Sequence, residues 1–440
     1  MSYSPEVQNA LSRTWHQDAA ESSLERWMDL SKQEGWELSD DALTLMTLLF
    51  GASWYFTRFV YYRGSEVIYL FSKEMQDASI VEASLAELKQ YSPDCSLDDA
   101  IERLRIKKNE IMLSVLLLQL GNVIEQEKAE LLLTRLAESV LTVMYRLFGL
   151  EDIKNTQCIV LAMGRFAGGE MTYGSDLDLI FIEKVLDKND FGQIINNIRK
   201  MLRYIAVMDP SGALYEIDMR LRPHGSSGVL VTPLDSFLEF HNDKREIWER
   251  QMMTRCRIVV GNPELSDQVN REILDDVYGK YEPSFLAKEI MKIRFLVEQE
   301  LAGGKDKIDI KRGKGGIMDI DFLTHFLQLA HGAEYPQLRV ASTRQVLRVA
   351  ADSGLLNKKT ATSLLKAYDF YKLSESALRV FDMKSTSKVA VTTKTLLPLA
   401  RASGYLNNDP VVAVDDYLKK LRRLRNQVRE QFEHILNEAF

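Results

Sequence analysis

The segment Gly174-Ser175-Asp176-Leu177-Asp178-Leu179-Ile180-Phe181 constrains the fold more tightly than any other part of this chain. Side chains on a strand alternate between faces, so Asp176 and Asp178 point one way while Leu177, Leu179 and Phe181 point the other. The apolar set needs a core; the acidic set needs solvent or a counter-charge. A second segment, Tyr215-Glu216-Ile217-Asp218-Met219-Arg220-Leu221-Arg222-Pro223, reads as another strand with Glu216, Asp218 and Arg220 sharing a face. Asp176, Asp178 and Asp218 converging on the edge of a small sheet repel one another unless a hard divalent cation, Mg²⁺, sits between them. Magnesium held that way handles phosphates.

With 440 residues the chain exceeds the size at which one core keeps growing, and two or three domains are expected. Lysine plus arginine number 56 against 63 aspartate plus glutamate, a net charge of -7, which excludes a general nucleic-acid binder and leaves room only for local basic pockets. Three widely spaced cysteines, Cys95, Cys158 and Cys256, make neither a disulfide framework nor a zinc knuckle, so a reducing cytoplasm is expected. The N-terminal residues lack the basic start and apolar core of a signal peptide. The most apolar run, Ile111 to Ile124, is shorter than the roughly 20 residues that cross a bilayer and reads as a buried helix, so no membrane contact is expected.

The pattern divides the chain into three. Residues 1–153 carry helical periodicity, best seen in Leu132, Leu136, Val140, Val143, Met144 and Leu147, with Gly51, Gly64 and Ser92-Pro93-Asp94 as breaks. Residues 154–310 read as a mixed α/β unit. Cys158–Met163 is a buried strand ended by a glycine turn, the aspartate strand follows, Ile194 to Ile205 form a connecting helix, and Gly228–Thr232 offers a fourth strand. Trp248-Glu249-Arg250 and Arg255-Cys256-Arg257 are placed on a helix beyond these strands. Residues 311–440 return to helix, and the last one shows Tyr417, Leu421, Leu424, Val428, Phe432 and Ile435 on one stripe. The basic Lys419, Lys420, Arg422 and Arg423 beside it read as a solvated face. The predicted fold is α+β and mostly helical: a small mixed sheet with flanking helices, set between an N-terminal helical domain and a C-terminal helical bundle.

The turn Gly164-Arg165-Phe166-Ala167-Gly168-Gly169 precedes the aspartates, and glycines there would let phosphate oxygens approach backbone N–H groups. Glycine at a tight strand-to-helix turn for steric reasons is the plainer alternative. A glycine turn, a two-aspartate strand and a third aspartate on a neighbouring strand resemble the nucleotidyltransferase superfamily that includes DNA polymerase beta. Four ordered motifs narrow the likeness: Leu161–Glu170, Tyr173–Phe181, Tyr215–Pro223 and Lys314–Phe322 are similar to those of the bacterial glutamine synthetase adenylyltransferase family. Two departures stand out. Arg165 follows Gly164 where the superfamily has glycine or serine, and Asp321 stands where the family more often has glutamate.

The resemblance implies a catalytic domain over 154–310, two magnesium ions (or manganese) held by Asp176, Asp178 and Asp218, and ATP as substrate. It implies nucleotide contacts from Gly164, Arg165, Gly168, Gly169, Ser175, Arg220, Arg222 and Lys311, with Asp319 and Asp321 in supporting positions. Typical members carry two such modules, one transferring AMP to a tyrosine of glutamine synthetase and one removing it by phosphorolysis to give ADP. This chain has one module, and Val229, where the removing module tends to have proline, favours the transferring kind. A small nitrogen-signalling regulatory protein is the other expected partner. Non-catalytic regulatory binding is the remaining alternative. From the residues alone, Arg220 and Arg222 neutralise the acidic cluster as readily as they meet phosphate, and Asp319 and Asp321 suit helix capping after Gly315-Gly316.

Overall fold

The computed structural model describes residues 3–153, 156–185, 191–209, 212–242, 246–278, 281–301 and 306–439. The expected domain start at residue 154 lies outside them. Seven strands occur among the described residues: β1 (Thr156–Met163), β2 (Leu177–Val185), β3 (Ile217–Asp218), β4 (Thr232–Pro233), β5 (Cys256–Gly261), β6 (Lys307–Asp309) and β7 (Lys388–Ala390). The rest is mostly helix, giving an α+β fold with one small mixed sheet.

That sheet runs β3-β2-β1-β5, with β4 also on β2. β1 is antiparallel to both β2 and β5, whereas β3 and β4 run parallel to β2. The parallel pairing of β2 with β3 needs a crossover, and the amphipathic helix Phe191–Ala206 supplies part of it, burying Ile194, Ile198, Met201 and Ile205. The expected connecting helix is thus present.

Two cores sandwich the sheet. Cys158, Val160 and Ala162 of β1 and Leu177, Leu179 and Phe181 of β2 pack into the core built by the N-terminal helices. Their alternates, Ile159, Leu161, Met163, Ile180 and Ile182, pack into the core shared with the C-terminal helices. Both faces are therefore apolar, which is why β1 reads as a continuous apolar run. Asp178 shares its face with Ile180 and Ile182, so the acidic pair sits where the second core runs out.

Several expectations need correction. The segment 215–223 forms a strand only at Ile217–Asp218; Arg220 already lies in a turn. The expected fourth strand shrinks to Thr232–Pro233, because Gly225–Ser227 coil into a 3-10 turn after His224, which adopts a left-handed φ of 62°. The helix carrying Trp248 ends at Met253, and Arg255-Cys256-Arg257 lead into β5, whose Ile258-Val259-Val260 run favours the strand. Gly51 lies inside helix Asp40–Ala52 and is no break; a Cβ there would sit 1.9 Å from Thr14 Oγ1. The final helix, Pro410–Glu438, does bury Tyr417, Leu421, Leu424, Val428 and Phe432.

Candidate functional site

Parallel pairing of β2 with β3 puts Asp178 directly beside Asp218, and Asp176 lies one residue before β2. Carboxylate oxygens of Asp176, Asp178 and Asp218 all lie within 4.8 Å of one another, and all three residues are partly buried. Burial, with Asp176 and Asp218 adding like charge, pushes the Asp178 carboxyl up to about 7. An all-carboxylate donor set of this spacing suits a hard cation better than zinc or copper. Gly164 leaves room for it: a Cβ at this position would stand 3.0 Å from Asp178 Oδ2, and its φ of +56° is one that side-chain-bearing residues rarely adopt.

Arg220 does not continue the strand face of Asp218, because β3 ends there; it turns back onto the carboxylate instead. Its Nε donates to both Asp218 oxygens at 3.0 and 2.8 Å, and Nη2 donates to Oδ2 as well. That hydrogen bonding holds the Asp218 carboxyl below its usual range. The Arg220 side chain is 77% exposed, so among the described residues it is tethered only by the pair. Arg222 has different work: it donates to the carbonyls of Met219, Ser226 and Gly228 and staples the loop between β3 and β4. Lys311 lies with Asp178 in one electrostatic neighbourhood; burial, then Arg165, lowers its ammonium to about 8.

The glycine turn is built for close packing rather than as an open phosphate cradle. The Gly164 N–H donates to the Arg255 carbonyl at 2.9 Å, and the Gly168 N–H to the Gly164 carbonyl at 3.1 Å. A Cβ on Gly168 would lie 2.9 Å from both the Ala341 carbonyl oxygen and Arg255 Nη2, and Gly169 takes a φ of +71° to turn the chain. Arg165 points into the protein, with Glu375 at 3.8 Å and Asp321 at 3.9 Å. Ser175 accepts from the Thr172 N–H at 3.0 Å and faces Arg379 at 3.4 Å, which braces the turn leading to Asp176.

Behind the site lies a charge network that sequence reasoning missed. Glu170, 1% exposed, accepts from Arg255 at 2.5 Å, Tyr368 at 2.7 Å and Ser342 at 3.1 Å. Burial raises the Glu170 carboxyl, and Arg255 and Arg344 outweigh burial and hold it low. Arg255 continues to Asp321 at 3.1 Å, and Arg344 to Glu130 at 2.6 Å on an N-terminal helix. The network ties helices from both ends of the chain to the turn before β2. Asp321 belongs to it. Asp319 does not: it meets Arg294 at 2.5 Å, accepts from the Gly315 N–H at 2.9 Å and pins the Gly-Gly turn at the start of helix Ile317–His331. Asp319 thus holds the turn ahead of the helix, while the helix start itself carries no side-chain cap and Asp321 pairs with Arg255 instead.

Comparison with known proteins follows this anatomy. The profile of the family described as glutamate-ammonia ligase adenylyltransferase matches residues 45–272, which include β1 to β5 and all three aspartates. A profile described as PII-uridylyltransferase matches residues 291–436, the C-terminal helices. A Chromobacterium violaceum protein named bifunctional glutamine synthetase adenylyltransferase/adenylyl-removing enzyme is 32% identical over 263 residues, 58% of this chain and 29% of its own length. Proteins of the same name from Idiomarina loihiensis and Bradyrhizobium diazoefficiens are each 29% identical, over 67% and 65% of this chain. The matched stretch spans only 29 to 34% of these relatives' length. With a family match over more than half its residues, this chain belongs to the glutamate-ammonia ligase adenylyltransferase family.

Proposed function

We propose that this chain is a magnesium-dependent nucleotidyltransferase module that moves AMP from ATP to a tyrosine of glutamine synthetase, and so regulates nitrogen assimilation in the cytoplasm. The observation that carries the reading is the convergence of Asp176, Asp178 and Asp218 within 4.8 Å. In this reading they hold the cation, residues 154–310 form the catalytic unit, and 311–440 form a helical bundle that carries Lys311 to it.

The bound magnesium would supply charge neutralisation and polarisation at the phosphates, as in other phosphoryl and nucleotidyl transfers. The acceptor tyrosine oxygen forms a bond to the α-phosphorus while the bond to the β-phosphate oxygen breaks and pyrophosphate leaves. A phenol has a reference pKa of about 10, so it needs help to attack. In this reading Asp218 orients the hydroxyl, but while Arg220 is paired with it the carboxylate is a poor base. The exposed Arg220 can swing to a phosphate oxygen, which frees Asp218 for the proton. Lys311 adds positive charge beside Asp178. Gly164 supports the site by letting the chain pass close to Asp178, and the nucleotide contacts assigned to Arg165, Ser175, Gly168 and Gly169 become supporting ones.

A second reading has specific support, because the relatives' name couples adenylyl transfer with removal. Phosphorolysis would use the same carboxylates with phosphate as the attacking group and ADP as the product. A small nitrogen-signalling protein as regulator fits either direction. A purely non-catalytic module would have no use for three crowded carboxylates.

The test is incubation with Mg²⁺, glutamine synthetase and ATP labelled at the α-phosphate, alongside adenylylated synthetase with inorganic phosphate. Label on a synthetase tyrosine, lost at least about 100-fold in Asp178→Asn, supports transfer. ADP release in the second arm supports removal instead. Neither product from the wild-type chain would overturn the enzymatic reading.

A further inference from the structure

An aromatic cleft whose lining includes none of the three aspartates lies among the N-terminal helices. This cleft, of about 890 Å³, opens between the helices Gln17–Glu34 and Trp54–Arg63 and the loop near Gly212. Trp54, Tyr55, Tyr61 and Tyr62 line it, with Arg26 and Arg58 among them. Trp54 is 47% exposed, Tyr62 74% and Met208, at its edge, 77%. Tryptophan, tyrosine and arginine are the residue types that dominate protein-protein binding energy, and large rings left open together are uncommon on a surface without a partner.

The charge of the cleft is local and positive in a chain of net charge -7. Two lining charges are already satisfied: Arg63 pairs with Glu66 at 3.1 Å, and Asp209 faces Arg105 at 3.7 Å. Arg26 lies over the Tyr61 ring at 5.1 Å, and neither Arg26 nor Arg58 has an ion pair among the described residues. An acidic segment would supply what they lack.

The cleft also borders a cavity that reaches the turn before Asp176. A smaller cavity of about 130 Å³ shares Tyr55, Met208 and Gly212 with it and is lined further on by Gly174, Ser175 and Glu216, next to Asp176 and β3. Lys108, 5% exposed, forms part of that cavity's wall, donating to the Ala213 carbonyl at 3.2 Å.

We infer that this cleft is the docking surface for the protein acceptor, taking a segment of it that carries acidic side chains flanked by aromatic or apolar ones. This rests on the reading of the chain as a protein-modifying transferase. A docked segment would approach the aspartates from the Gly174 and Glu216 side, and binding would be steered by Arg26 and Arg58 and anchored by Trp54.

The experiment compares wild type with Arg26→Glu/Arg58→Glu and with Trp54→Ala, all checked for unchanged melting temperature and unchanged binding of Mg²⁺ and ATP. Two readouts use glutamine synthetase as the probe: direct association without nucleotide, at low and high salt, and the KM and kcat of AMP transfer. The inference expects wild-type association to weaken with salt, both variants to lose it at least tenfold, and KM for the synthetase to rise with kcat kept. It is overturned if the wild type does not associate, or if both variants associate and turn over within twofold of it. Wild-type association without transfer would instead sink the functional reading and leave the docking surface standing.

Discussion

Gly164 and Asp178 approach so closely that a β-carbon on the glycine would lie 3.0 Å from the Asp178 Oδ2 oxygen. The strand-to-turn junction after β1 and the acidic residue of β2 therefore occupy one another's space. Gly164→Ala must meet both that contact and a left-handed φ of +56°, which costs a side-chain-bearing residue about 1–2 kcal/mol. Chemical denaturation should report a loss of that size or larger, and Mg²⁺ affinity should fall with it. Wild-type metal affinity in this variant would show that the close approach does not shape the acidic site.

Asp178 makes stability depend on pH and on cation together. Its folded pKa, about 7, lies above the unfolded value near 3.8, so the folded state binds the proton more tightly. The contribution is fully present below about pH 4 and is lost as pH rises towards 7, by up to about 4 kcal/mol. In chelator, Asp178→Asn should therefore be more stable than wild type at pH 8 and nearly equal to it at pH 4. Mg²⁺ should stabilise wild type more at pH 8 than at pH 5. Parallel pH profiles for the two proteins would contradict this.

His325 acts in the opposite sense. Burial, then the Arg255 charge, lowers its imidazole to about 4, so the folded state keeps it neutral. Stability from this group is present above about pH 6.5 and is lost as pH falls towards 4, up to about 3 kcal/mol. His325→Gln should flatten the acid limb of the unfolding profile between those values; an unchanged limb would remove His325 from the account.

Glu170 is the hub of the buried network, and removing its charge takes from Arg255 its closest partner and weakens the bond that Glu170 accepts from the Arg344 backbone N–H. Glu170→Gln should destabilise by about 3–5 kcal/mol, the range for breaking one side of a buried pair. The melting temperature is the readout. A change under about 1 kcal/mol would mean that the remaining carboxylates rebalance the network.

These residues also mark what was legible in the sequence. Asp176, Asp178 and Asp218 could be found because a strand's period of two sorts acidic from apolar positions and because short motifs preserve their order. The helical flanks and the mixed sheet followed from the same periodicities. β5 was misread because Arg255 and Arg257 flank Cys256 and suggest a charged surface, whereas Arg255 is buried by partners distant in sequence. No local pattern announces that Glu170 will meet Ser342 and Tyr368. The resemblance implies a nucleotide contact for Arg222, but the strand stops after Asp218 and the guanidinium turns to loop carbonyls instead. Tertiary pairing of charges decides such cases, and it is invisible in a single chain segment.

The central claim is that Asp176, Asp178 and Asp218 form one divalent-cation site, and Mn²⁺ binding followed by electron paramagnetic resonance tests it most directly. Wild type without nucleotide should remove free Mn²⁺ signal, with Mg²⁺ competing. Asp176→Asn/Asp178→Asn should bind at least about tenfold more weakly while remaining folded, as expected when carboxylate ligands are lost from a hard-cation site. Equal Mn²⁺ binding by the folded double variant and wild type would contradict the account.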